Sequence, residues 1–174
     1  MSTKHSLPQE LLLLRQFDQD LKEAYSEGFE LLENPGSAML RSYSVNETFL
    51  ASLIEFANAS ASGSTYAFWI ANDKNLSTAP IVLFGDEGGY HIVAKNIREL
   101  LAILTFDAEP MVDWERVFYY KGKAYVESPL KNKFRDWLLS TFQIKAVDDP
   151  GAIVKNAQTS HSEEFQTWMK QYTN

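Results

Sequence analysis

Between Gly63 and Leu104 the chain reads GSTYAFWI, a polar insert, and then APIVLFGDEGGYHIVAKNIRELLAIL. Tyr66 to Ala71 is an aromatic-rich run with strand character. Asn72 to Thr78 is polar and reads as a turn. Ile81 to Phe84 is a continuous apolar run of the kind found in a strand buried on both faces. Gly85-Asp86-Glu87-Gly88-Gly89 is the tightest turn signal in the chain, and Tyr90 to Ala94 follows as the returning strand. Asn96 with Glu99 forms a capping box, and Ile97, Leu100, Leu101 and Leu104 give the helix behind it one apolar stripe. Trp69, Ile81, Leu83, Val93, Leu100 and Leu104 are therefore the expected core.

The flanking segments carry helical periodicity. Ser6 and Gln9 stand at capping-box spacing, and Leu11, Leu14, Phe17, Leu21, Tyr25 and Leu32 continue as one stripe up to Asn34-Pro35-Gly36. Ser44 and Glu47 suggest a second helix, with Phe49, Leu50, Leu53, Ile54 and Ala57 on its buried face. Val117 to Tyr120 and Ala124 to Val126 flank Lys121-Gly122-Lys123 and read as a hairpin whose tyrosines face the sheet. Ser128-Pro129 opens a further helix through Phe142. Residues 145–161 read as a hinge, followed by a terminal helix from about Ser162 to Tyr172. Phe165, Trp168, Met169 and Tyr172 on that arm need a cover, either the domain itself or a second copy of the chain. Strands clustered in sequence with helices around them point to an α+β fold: a central mixed or antiparallel sheet, flanked by helices, with a helical C-terminal extension over about residues 150–174.

At 174 residues the length suits one domain over residues 1–174. With 11 Phe, 8 Tyr and 4 Trp it holds enough bulk for a core without staples. There is no cysteine, which excludes disulfides, thiolate nucleophiles and cysteine–zinc sites. A net charge of −7 argues against nucleic-acid binding, whose affinity comes from cations on phosphate, and suits a basic protein partner. The start, MSTKHSLPQELLLL, has an apolar run of four leucines, short of the roughly 7 to 15 residues of a secretory signal. No stretch is long and apolar enough for a membrane span. A cytoplasmic location and no membrane partner are the expectation.

Little here reads as chemistry. The histidines, His5, His91 and His161, are not paired at metal-ligand spacing, and no G-x-S-x-G elbow is present. Asp86-Glu87 lacks the further carboxylates of a calcium loop and suits a strand-connecting turn, with its glycines supplying positive φ. A strand rather than a helix follows those glycines, so they form no phosphate cradle. No cofactor or metal is expected.

Gly63-Ser64, Tyr66 to Ile70, Ala79 to Gly88, Val93-Ala94 and Ile97-Arg98-Glu99-Leu100-Leu101 together resemble the SUKH superfamily, which includes bacterial toxin-immunity proteins and a yeast cell-wall assembly regulator. The resemblance covers the block 63–104. It implies an α+β domain with a central sheet, and a non-enzymatic, protein-binding role, often neutralising a toxin. The leading expectation is therefore an immunity protein that binds a basic toxin domain. A regulatory or scaffolding protein without a toxin partner is the alternative, and an enzyme with an unrecognised site comes after it. Candidate contact residues are Asp73, Asp86, Glu87, Asp113 and Glu115, acids in or beside predicted turns of the sheet region.

Overall fold

The computed structural model describes residues 5–70 and 75–173. Five strands form one antiparallel sheet in sequence order: β1 (Glu30–Gly36), β2 (Leu53–Asn58), β3 (Thr65–Trp69), β4 (Ile81–Phe84) and β5 (Tyr90–Ala94). β3 and β4 are buried along their whole length, as their unbroken apolar runs require of strands covered on both faces. Alternation along β3 sends Tyr66 and Phe68 to one face of the sheet and Ala67 and Trp69 to the other.

The first face is covered by α1 (Gln9–Asp18), α3 (Ile97–Leu104) and α4 (Lys131–Phe142), through Leu11, Leu14, Leu100, Leu101, Phe134 and Leu138. The second is covered by a short 3-10 helix (Met39–Ser42), α2 (Glu47–Ala51) and α5 (Gly151–Met169), through Leu40, Phe49, Ala157, Phe165 and Met169. Helices on both faces of an antiparallel sheet make this an α+β fold. Trp69, Ile81, Leu83, Val93, Leu100 and Leu104 are all buried, as expected. The Asn96 cap forms: its Oδ1 accepts from the Glu99 amide at 3.0 Å. Glu99 Oε2 reaches back to the Lys95 amide at 2.8 Å.

Four expectations are corrected. The first helix stops at Asp18 rather than near Leu32, and its N-cap is Pro8 with no side-chain cap bond, so Ser6 and Gln9 form no capping box. Residues 30–36 are instead the edge strand β1, where Pro35 is tolerated because an edge has an unpaired side. The second helix shrinks to α2, capped by Asn46 rather than Ser44, and Leu53–Asn58 crosses to strand as β2. The β7 strand (Val117–Tyr119) pairs with β6 (Pro110–Val112), not with residues 124–126. Finally, most of the expected hinge at 145–161 is helix. α5 begins at Gly151, whose amide is held by Asp149 Oδ1 at 2.8 Å. Polar residues inside α5 are satisfied locally, since Thr159 and Ser160 donate to carbonyls four residues back. The arm packs on its own sheet: Gln166 Nε2 donates to the Tyr90 carbonyl at 3.2 Å, and the Trp168 and Phe165 rings meet Trp69.

A buried carboxylate fastens the loops beneath the first face. Asp107 follows α3 at φ 63°, a conformation that aspartate tolerates better than most residues. Its Oδ1 accepts from the Glu27 amide at 2.8 Å and the Ser128 hydroxyl at 2.6 Å, and its Oδ2 accepts from the Ser128 amide at 2.9 Å and the Tyr125 hydroxyl. Burial alone would raise this carboxyl, but the bonds from Ser128, Tyr125 and Glu27 outweigh it and hold the group below its ordinary value of 3.8. The stabilisation is therefore complete above that value and is lost as pH falls through the depressed one. Asp107→Asn keeps the size and the backbone preference but sets an amide donor against two of the four donors. It is expected to cost about 2 to 3 kcal/mol at pH 7 and to flatten the acid limb of stability. Urea denaturation from pH 3 to pH 7 measures both effects. An unchanged acid limb in the variant would show that Asp107 does not carry it.

Candidate functional site

Two turns meet at one end of the sheet. The first is Gly85–Gly89, between β4 and β5. The Gly88 amide donates to the Gly85 carbonyl at 3.1 Å and the Gly85 amide to the Gly89 carbonyl at 2.9 Å, closing a tight loop with Asp86 and Glu87 exposed at its tip. The second is Asp113–Arg116, between β6 and β7. Asp113 Oδ1 accepts from the Glu115 amide at 2.8 Å and the Arg116 amide at 2.9 Å, so the side chain itself builds the turn. Those two amides hold the Asp113 carboxyl below the usual carboxylate range and keep it charged.

The turns touch through glycine. Gly88 has φ 108° and Gly89 φ 91°. A Cβ on Gly88 would stand 2.6 Å from the Trp114 indole, and one on Gly89 would stand 2.2 Å from the Asp113 carbonyl oxygen. Any side chain at either position would thus strain the backbone and push the second turn away. His91, on β5, adds a tie: its Nε2–H donates to the Asp113 carbonyl at 2.7 Å. His91 is thus a clasp between the sheet and the β6–β7 ribbon.

Asp86, Glu87, Asp113 and Glu115 are thereby gathered, all exposed, around Trp114. Asp73, the fifth candidate, lies outside the described residues. Asp86 is oriented by Ser64, whose hydroxyl donates to Oδ1 at 2.7 Å. Trp114 is 65% exposed and rests edge-on against Tyr90 at 5.9 Å. The outer face of the ribbon continues the apolar surface with the cross-strand pair Met111 and Phe118, over which the Arg116 guanidinium sits at 5.0 Å. On the inner face Tyr119 meets Tyr66, hydroxyl to hydroxyl at 2.7 Å, whereas Tyr120 points out. The expectation that both tyrosines face the sheet holds for Tyr119 alone.

Trp114 borders a cleft of about 250 Å³ between the Gly85 turn and the 3-10 helix. Tyr43 spans it, donating to the Gly85 carbonyl at 2.7 Å, with the Gly89 carbonyl at 3.3 Å. Burial, with help from Tyr90 and Asp86, pushes its hydroxyl up to about 12, so it stays protonated and keeps donating. The 3-10 helix is pinned from below by Glu55 of β2, which accepts from the Leu40 amide at 2.8 Å.

Trp114, Met39, Tyr43 and Thr65 were not singled out from sequence. The signal for Trp114 was present: Asp113-Trp114-Glu115-Arg116 is a polar turn between Met111-Val112 and Val117-Phe118, two short apolar runs. Nothing in the chain marks Met39, Tyr43 or Thr65, because their proximity comes from the crossing of β1 to β2. Among the described residues no group of three or more histidine and carboxylate side chains is placed to hold a metal ion, and no helix is long and apolar enough to cross a membrane. In comparison with known proteins, no family model, no curated protein and no solved structure matches this chain.

Proposed function

We propose that this chain is a protein-binding module without catalytic activity of its own. It docks a basic protein surface, in the cytoplasm, on the end of the sheet where the Gly85–Gly89 and Asp113–Arg116 turns meet. The observation that carries this reading is the convergence of an exposed tryptophan and four carboxylates from turns remote in sequence. Tryptophan, methionine, phenylalanine and arginine are the residues most enriched in interface cores and hot spots. Surrounding acids steer a cationic partner and fix its register. The resemblance of residues 63–104 to the SUKH superfamily supports a finer reading: the partner is a basic toxin domain, and the chain neutralises it by covering its active surface.

Affinity capture from the producing cell tests this with three baits: wild type, Trp114→Ala and the Asp86→Lys/Glu87→Lys pair. The expected partner is basic and associates more slowly as salt rises. Trp114→Ala should weaken binding about thirtyfold, as loss of an interface hot spot does. Charge reversal should slow association about tenfold or more. If the partner is a toxin, a stoichiometric amount of the wild-type chain should abolish its activity. A partner without toxic activity would assign the chain to regulation or scaffolding instead. Equal capture by all three baits, or turnover of a small substrate by the chain itself, would overturn the docking reading.

A further inference from the structure

Beside Trp114, the cleft between the 3-10 helix and the Gly85–Gly89 turn has a chemical character of its own. Its walls are Met39, Tyr43, Phe84 and Trp114, and its rim carries Asp86. At about 250 Å³ it is smaller than the roughly 300–1,000 Å³ typical of small-molecule sites, and suits one inserted side chain. Thr65 also lines it, on the same sheet face as Ala67 and Trp69. Thr65 is 2% exposed, yet its hydroxyl Oγ1 finds no hydrogen-bond partner among the described residues. That oxygen is closed off from solvent, so Thr65 contributes a wall and offers no bond to an occupant. Asp86 is half used: Ser64 holds Oδ1, while Oδ2 makes no hydrogen bond among the described residues.

We propose that this cleft receives one arginine side chain projected by the docking partner, an inference that rests on the docking surface proposed above. None of the described residues lining the cleft is basic, so the only formal charge there is the Asp86 carboxylate. That charge repels an anionic group. A purely apolar side chain would leave Asp86 Oδ2 desolvated without a partner. An arginine satisfies each feature. Its guanidinium donates to Asp86 Oδ2, its plane stacks on the Trp114 indole, and its methylene stem lies along Met39 and Tyr43. The ring of Tyr43 is held in place by its bond to Gly85, and Ser64 fixes the carboxylate, so the receiving groups are set before the partner arrives.

The test is an NMR titration of the isotope-labelled full chain with Nα-acetyl-arginine-N-methylamide, with the citrulline compound as its neutral isostere. Arginine is expected to shift the Trp114 indole N–H and the amides of Thr65, Asp86 and Gly88, saturating with a dissociation constant of about a millimolar. Citrulline should bind at least about tenfold more weakly, since it lacks the charge. Asp86→Asn should weaken the arginine response about tenfold, because it removes the charge that the guanidinium pairs with. Equal response to arginine and citrulline, saturable shifts elsewhere, or an unaltered Asp86→Asn titration would overturn the arginine cleft. Its failure is separable from that of the docking reading. If Trp114→Ala and the charge reversal abolish partner capture while arginine and citrulline shift the same amides equally, the surface stands and the arginine cleft falls.

Discussion

Truncation after Asp149 is expected to leave a chain that no longer folds cooperatively. α5 contributes Ala157, Phe165 and Met169 to the second core, and Trp168 and Tyr172 pack against it. Without the arm, Trp69, Val82 and Ile92 lose that cover over much of one sheet face. Each large apolar side chain moved into water costs about 1.5 to 3 kcal/mol. Several together match the whole stability of a typical domain, about 5 to 15 kcal/mol. The truncated chain should keep part of its far-ultraviolet circular dichroism, lose its near-ultraviolet signal and bind a hydrophobic dye. A cooperative urea transition with an unchanged midpoint would show instead that the arm is an accessory to the fold.

The second large effect is expected at Trp69. Its indole meets the Phe165 ring edge-on at 5.0 Å and the Trp168 ring at 5.7 Å, joining β3 to α5 at the centre of that core. Trp69→Ala should cost about 3 to 5 kcal/mol, combining lost burial with the cavity left behind. Trp69→Phe should cost much less, about 1 to 2 kcal/mol. The reason is that Trp69 Nε1 finds no hydrogen-bond partner among the described residues, so the ring supplies packing and no bond. Urea denaturation of the two variants separates packing from polarity. A loss below about 1 kcal/mol for Trp69→Ala would mean that α5 shifts to close the gap.

The two turns that form the candidate site were unequally legible in sequence. Gly85–Gly89 announces itself, because clustered glycines between two apolar runs leave few alternatives. The exposure of Asp86 and Glu87 follows from that turn alone. Asp113–Arg116 was harder to read, since two competing hairpins were available to Val117–Tyr119. The chain chose Pro110–Val112 as partner, leaving Tyr125 for the Asp107 carboxylate. That choice is what lays Trp114 over Gly88 and brings Asp113 against Gly89.

Residues 65–104 were determined by the sequence itself. Their strands are short apolar runs bounded by unmistakable turns, and their helix has its own cap, so local preference and tertiary packing agree there. Leu11 and Leu14 of α1 and the apolar face of α5 were legible from their helical spacing. Tertiary structure alone decided β1 and β2. Tyr25 and Leu32, like Leu53, Ile54 and Ala57, fall at helical spacing, and a short apolar run satisfies either period. β3 had a free edge that needed hydrogen bonds. Pairing there buries Leu53, Phe56 and Ala57 and satisfies a ladder of backbone groups, broken by one bulge at Phe56, which a short helix at the same place could not offer. The site inherits this dependence, because β2 carries Glu55, Glu55 holds the 3-10 helix, and the 3-10 helix is one wall of the cleft. No local pattern can encode a wall whose position is set by a strand pairing elsewhere.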